Sequence, residues 1–444
     1  MKGIKSRLAI LSFLEFAVWG SYLISMGMYL GSNGLGAQVF WFYTVQGLVS
    51  LFMPAIIGII ADKLIPAQKM LSICHIMAGT FMIAAGWYCM DCTANGSELN
   101  FGPLFTLYTI SVAFFMPTIG LNNSVAFNAL GQAGLDTVKD FPPIRVFGTV
   151  GFIVAELMVN FIAIGGVALQ YSYTQFFASG IFSIILAFYA LTMPDCPVTR
   201  GKKVSISEAL GLNAFKLFKD RKMAIFFIFS MLLGVSLQLT NTYGTSFINQ
   251  FKNAGFDDWF SNNPTFLISI SQCSEALCIL AIGFCLKRFG IKGVMMMAMF
   301  AWVLRFGLFG VGDTGFPGIV WLILSCIVYG VAFDFFNVSG GIYVDQQTDV
   351  KMRSSAQGLF MIMTNGIGAS LGTFIAGKFV VNPLTEAPGL TQQQVLDGFH
   401  ESWLIFAAYA LVVFVLFYFC FKQPKKQTPA QIKLSDDAGG MVDA

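Results

Sequence analysis

Apolar runs of roughly twenty residues recur along almost the whole chain, separated by short polar connections, and that spacing predicts helices that cross a bilayer. The runs fall near 8–30, 38–61, 69–90, 102–127, 143–165, 172–193, 223–247, 264–286, 293–312, 318–343, 355–380 and 402–421. The first is too long for a cleavable signal, carries Glu15, and is followed at once by further spans. The expected fold class is therefore an all-α polytopic membrane protein with twelve transmembrane helices. Its predicted organisation is a six-helix bundle over 1–193, a polar linker over 194–222, a second six-helix bundle over 223–422, and a disordered tail over 423–444.

Composition supports the same class. Hydrophobic residues make up 56% of the 444 and charged residues only 11%, too few to clothe a water-facing surface. The nine cysteines lie mostly inside apolar runs and read as small hydrophobes, including the Cys89/Cys92 pair at a helix end. The positions of the charges orient the chain. Of 26 Lys and Arg, Lys252 and Lys378 fall at the far face and Arg145 and Arg305 inside or at the edge of spans, leaving 22 on the side of the termini. That asymmetry predicts that both termini are cytoplasmic.

Few ionisable residues fall within the spans: Glu15, Arg145, Glu156, Glu275, Arg305 and Asp334. Each costs about 2.5–3.5 kcal/mol at a helix centre on insertion scales, so each needs a partner or a function. For Glu15 and Arg305 the simpler reading is a structural ion pair or a snorkelling side chain. In DFPPIRVFGTVGFIVAE the two prolines suit a first helical turn, and Arg145, Thr149, Phe152 and Glu156 follow at i, i+4, i+7 and i+11, on one face. Gln238 and Asn241 repeat at i, i+3 in SLQLTN, as do Gln272 and Glu275 in SISQCSEAL. Tyr329, Phe333 and Asn337 step by four in YGVAFDFFN, beside Asp334. Any one pair could be glue between helices. Together, amides, carboxylates and rings suit a planar, uncharged ligand rich in hydrogen bonds better than an ion or a lipid. His75 could titrate, although a packed neutral imidazole is the simpler reading. No metal-ligand cluster, phosphate loop or nucleophile elbow is present, so neither an enzyme nor a cofactor is expected.

Longer segments carry a resemblance. LSFLEFAVWGSYL, MPAIIGIIADK, MPTIGLNN, DFPPIRVFGTVGF, FFIFSMLLG, SISQCSEAL, VYGVAFDFFNVSG and SSAQGLFMIMTNGIGASLG resemble the bacterial nucleoside:proton symporters of the major facilitator superfamily, from the first helix to the last. Gly58 to Lys63 also has the G-x-x-x-D-K spacing of that superfamily's loop between helices two and three; the matching CLKRFGIK keeps the bases and lacks the acid. The resemblance implies two six-helix bundles and import of purine and pyrimidine nucleosides such as uridine, adenosine and inosine, coupled to protons, by alternating access in an inner membrane. It implies substrate contacts at Arg145, Thr149, Phe152, Gln238, Asn241, Gln272, Glu275, Tyr329 and Phe333, and proton coupling through Glu275, Asp334 and Arg145. Glu15 stands where the resemblance implies an uncharged polar residue, and Glu156 where it implies an apolar one. The implied partners are nucleosides, protons and the lipid bilayer, with no nucleic acid, and a monomer is compatible. Two other readings stay open at this stage: a symporter for a sugar or another polar metabolite, and a membrane nutrient sensor that binds without transporting.

Overall fold

The computed structural model describes residues 3–198, 212–348 and 352–422, and nearly all of them are helical. The first crossing is α1 (Ile4–Gly20) and α2 (Met26–Leu30), followed by α3 (Val39–Lys63), α4 (Ala67–Asn95), α5 (Phe101–Gln132), α6 (Thr137–Phe161) and α7 (Thr174–Ala190). After residues 199–211 come α8 (Arg221–Leu237) and α9 (Leu239–Asn253), then α10 (Pro264–Val311), α11 (Gly318–Gln347), α12 (Arg353–Met361), α13 (Ala369–Ala376) and α14 (Gln392–Cys420). Local chemistry sets several starts. Asn100 caps α5 through Gly102 N–H, Asp220 caps α8 through Lys222 N–H, and Thr391 and Gln394 form a reciprocal capping box on α14.

Among the described residues, nine helices are long and apolar enough to cross a membrane. The 48-residue α10 holds two of the predicted spans, because Gly290 at φ 71° and ψ 176° breaks it and turns the chain back. Without that break it would be about 72 Å long, more than twice a hydrocarbon core of about 30 Å. With α1 and the shorter α7 added, the arrangement is consistent with twelve crossings.

Three sequence expectations need correction. The prolines of DFPPIR do not open a helix: α6 starts at Thr137, so Pro142 and Pro143 lie in its second turn. The same helix stops at Phe161 rather than running to 165, because Gly165 and Gly166 take positive φ in a hairpin pairing Ala163–Ile164 with Val167–Ala168. The seventh predicted span is interrupted at Gln238, where α8 ends and α9 begins. Residues 58–63 close α3, but the Asp62 side chain lies outside the described residues, as do linker residues 199–211 and the tail from 423.

The helices before residue 198 and those after 212 meet near the face opposite the termini. Thr245 Oγ1 donates to Ile24 O at 2.6 Å, Asn160 Nδ2 to Asn263 Oδ1 at 2.8 Å, and Tyr171 Oη to Asn262 O at 2.9 Å. Asn382 Nδ2 adds a bond to Ala37 O at 2.8 Å, and Ser370 Oγ one to Thr44 O at 3.2 Å. Small residues allow the approach: a Cβ on Gly27 would lie 2.3 Å from the Thr242 carbonyl oxygen. That face is sealed in this conformation.

Candidate functional site

Helices from both sets deliver their isolated polar residues to one region. On α6, Arg145, Thr149 and Phe152 are partly exposed; so are Gln238 and Asn241 around the α8–α9 break, Glu275 on α10 and Phe333 on α11. Partial exposure of charged and amide groups in mid-span fits a water-accessible space better than hydrocarbon. Gln272, Tyr329 and Asp334 are buried behind them. Gln238 keeps right-handed helical φ and ψ (−95° and −12°) at the join, and its carbonyl accepts from Thr242 N–H at 3.0 Å. In this conformation Asn241 Nδ2 donates to Gln238 Oε1 at 2.9 Å, so the two amides form one unit.

Arg145 is the cationic centre of the region. Its guanidinium stacks over the Phe16 ring, 4.1 Å from the centroid, and it acts electrostatically on Glu275, Glu15 and Asp334. Glu275 and Asp334 also act on each other. One cation from the first set of helices thus serves two acids from the second. Tyr329 and Phe333 stack with centroids 5.7 Å apart and planes at 17°. Behind them Arg305, fully buried, donates to Ser325 O at 2.8 Å while Ser325 Oγ donates to Arg305 O at 2.7 Å, and its guanidinium lies 4.7 Å from the Tyr329 ring. Arg305 therefore packs as a strut behind the aromatic pair. Asn337 Nδ2 donates to Phe333 O at 3.1 Å within its own helix.

Two residues that sequence reasoning passed over stand at the same place. Trp19 meets Phe152 edge to face at 6.2 Å, and its buried indole N–H has no hydrogen-bond partner among the described residues. Phe16 carries the Arg145 stack. Neither gave a signal in a chain with 47 phenylalanines and 15% aromatic residues. Several buried acceptors around the site are likewise unpartnered among the described residues: Gln272 Oε1, Asp334 Oδ2 and both oxygens of Glu156. A ligand bringing hydroxyl and N–H donors would satisfy acceptors of this kind.

The two further acids occupy different surroundings. Glu15 is fully buried with Oε1 2.6 Å from Thr118 Oγ1 and Oε2 3.0 Å from His75 Nε2. Glu156 is also fully buried, and lies on α6 facing α10. Beyond the seal, toward the face opposite the termini, a cavity of about 530 Å³ is lined by Tyr243, Asn249, Gln250, Glu386 and Gln392.

A family profile described as "Nucleoside H+ symporter" matches residues 1–426. The chain is 44% identical over 436 residues to the xanthosine permease of Escherichia coli (strain K12), covering 97% of this chain and 98% of that one. It is 42% identical over 431 residues to the nucleoside permease NupG of the same organism, covering 96% and 98%. A crystal structure of the nucleoside transporter NupG superimposes with a TM-score of 0.83 at 41% identity, over 95% of this chain and 100% of that one. A bacterial homologue of the lysosomal transporter Spinster, in an inward-facing and unoccupied conformation, shares the fold alone, with a TM-score of 0.68 at 12% identity over 95% and 97%.

Proposed function

This chain belongs to the nucleoside H+ symporter family, a family of multi-pass membrane transporters rather than enzymes, with the major facilitator fold, and from that premise we propose that it imports purine and pyrimidine nucleosides across a bacterial inner membrane by alternating access. The observation that carries the reading is the meeting of Arg145 with Glu275 and Asp334 across the two sets of helices, beside the Tyr329–Phe333 stack. A nucleoside offers a planar base for the aromatic rings and ribose hydroxyls for the amides and acids. Phe152 and Phe333 stack on the base in this reading, and Gln238, Asn241, Gln272 and Glu275 hydrogen-bond base and sugar, with Thr149 and Tyr329 at the edge of the site.

The two bundles in this reading are 1–193 and 223–422, joined by a cytoplasmic linker, with both termini cytoplasmic. The sealed face is then the outer one, and the site's water reaches it from the cytoplasm. Glu275 and Asp334 carry the proton, each held between burial and the Arg145 charge. One proton falling through 100 mV supplies about 2.3 kcal/mol, enough for roughly fifty-fold accumulation.

The deciding experiment is uptake of labelled uridine and inosine into proteoliposomes, with and without an acid-outside pH gradient. Gradient-driven accumulation is expected. Equal uptake in both conditions would leave a facilitator and remove the symport claim. Competition against labelled uridine by thymidine, adenosine, xanthosine, ribose and free bases separates a nucleoside site from a sugar site: nucleosides compete, ribose alone does not.

A further inference from the structure

Glu156 differs from every other buried acid in the protein's centre. Its side chain has no exposed surface, and neither Oε1 nor Oε2 has a hydrogen-bond partner among the described residues. Glu15, equally buried, has both oxygens bonded, to Thr118 and His75. Only the neutral acid is tolerable where a carboxyl is buried with nothing to accept from and no counter-charge.

The groups around Glu156 supply no such charge. From α10, Glu275 and Cys273 act on it electrostatically or are acted on by it, and from α11 Tyr329 does. The first of these bears like charge when ionised. Arg145, three turns away on the same helix, is engaged with Glu275, Glu15 and Asp334. From α1 the acid in range of that arginine is Glu15, already committed to His75.

Position supplies the second argument. Asn160, one turn beyond Glu156, makes the seal: it donates to Asn263 Oδ1 at 2.8 Å and accepts from Phe266 N–H at 3.1 Å. At about 1.5 Å per residue, Glu156 sits about 6 Å inside that contact. Parting of Asn160 from Asn263 is thus the event that would bring water from the sealed face to this carboxyl, before it reaches Glu275 deeper in.

We propose that Glu156 is a further proton-binding site of the transport cycle, separate from Glu275 and Asp334, loaded from the face opposite the termini when the Asn160–Asn263 contact opens. A proton from water on that side adds to a carboxylate oxygen and gives the neutral acid that the closed interface holds. The proton leaves to water on the terminal side later in the cycle. The inference rests on the proton-coupled reading above and adds one proton to its count.

The test is the number of protons moved per nucleoside, read as the reversal potential of labelled uridine flux in proteoliposomes of the full chain. Glu156→Gln and Glu156→Met are compared with the unchanged protein, so that one variant carries the test if the other does not insert. The expected result is one proton fewer per nucleoside in either variant. An unchanged number overturns the proposal. If the unchanged protein's flux ignores the pH gradient, it is the symport reading that fails instead. Infrared difference spectra of the purified protein between acid and alkaline pH give an independent readout: a carboxyl C=O band present in the unchanged protein is lost in Glu156→Gln, and coincident spectra count against the site.

Discussion

Glu15 on α1 and His75 on α4 meet at 3.0 Å between Oε2 and Nε2, with no surface of either side chain exposed. The contact is part of a chain. Ser183 Oγ on α7 donates to the His75 carbonyl at 2.9 Å, so its 2.9 Å contact with Nδ1 is that of an acceptor, and Nδ1 carries a hydrogen. With Thr118 on α5 bonded to Oε1, four helices are tied at one point.

That geometry separates two kinds of substitution. In Glu15→Gln the amide NH2 donates to Nε2 and the amide oxygen accepts from Thr118, so thermal unfolding in detergent should stay close to that of the unchanged protein. Glu15→Leu leaves an imidazole nitrogen unpaired, while the Thr118 hydroxyl keeps its bond to Phe115 O, at a cost of about 1–3 kcal/mol. His75→Leu leaves a buried carboxyl without its partner, and about 3–5 kcal/mol is expected if that carboxyl stays charged. Equal melting temperatures for Glu15→Gln and Glu15→Leu would show that the network does not hold the helices.

The Arg145 guanidinium carbon lies over the Phe16 ring, 4.1 Å from its centroid, while its charge serves Glu275 and Asp334. Lysine keeps the charge but loses the plane. Arg145→Lys should lower the initial rate of uridine uptake at least about tenfold at equal membrane abundance. Phe16→Leu removes only the stack, about 0.5–2 kcal/mol, and roughly a two- to thirty-fold loss is expected. Identical rates in Phe16→Leu and the unchanged protein would show that the ring does not position Arg145.

The spans and the polar clusters were legible because each departs sharply from its background: twenty apolar residues in a row, or one carboxylate among them. Arg145, Glu275 and Asp334 could be singled out for that reason alone. What the sequence could not carry is pairing between distant helices. Nothing near Glu15 announces His75, sixty positions on, and Trp19 and Phe16 are lost among other aromatic residues. The join at Gln238 was equally hidden, inside a run read as one span, whereas the turn at Gly290 was legible because it falls between the runs 264–286 and 293–312. The prolines of α6 misled because a proline within a membrane helix is tolerated where in water it would mark a start.

Gly27 on α2 approaches backbone across the seal, with space for no Cβ: an added one would lie 2.3 Å from the Thr242 backbone oxygen. Backbone cannot yield as a flexible side chain can, so Gly27→Ala should hold the two sets of helices apart on that side. Gly31, one turn on, has nothing within 4 Å of the corresponding position and serves as the control. A cysteine placed at Gln238, on the inner side of the seal, should react faster with an impermeant maleimide added at the face opposite the termini in Gly27→Ala than in Gly31→Ala, and in the proteins without that cysteine net uptake should fall only in the former. The same labelling rate in both would mean that this contact does not close the face.

Glu275 and Asp334 share Arg145 but differ in their neighbours: Glu275 follows the amide of Gln272 by one turn of α10, whereas Asp334 Oδ2 is buried without a hydrogen-bond partner among the described residues. The acid beside an amide is the better placed to touch a nucleoside, and the unpartnered one to exchange a proton with little contact to substrate. Two transport modes tell these roles apart. Exchange of labelled for unlabelled uridine at equal concentration needs binding and reorientation but no net proton movement, whereas accumulation under a pH gradient needs both. Asp334→Asn should abolish gradient-driven accumulation while leaving exchange at a substantial rate, because the amide keeps the size and the hydrogen bonds of the neutral acid. Glu275→Gln should weaken exchange as well, seen as a raised uridine concentration for half-maximal rate. If Asp334→Asn vesicles still accumulate uridine under the gradient, Asp334 is not the carrier. The proton then moves through Glu275 or Glu156, and the same pair of assays on Glu275→Gln and Glu156→Gln decides between them.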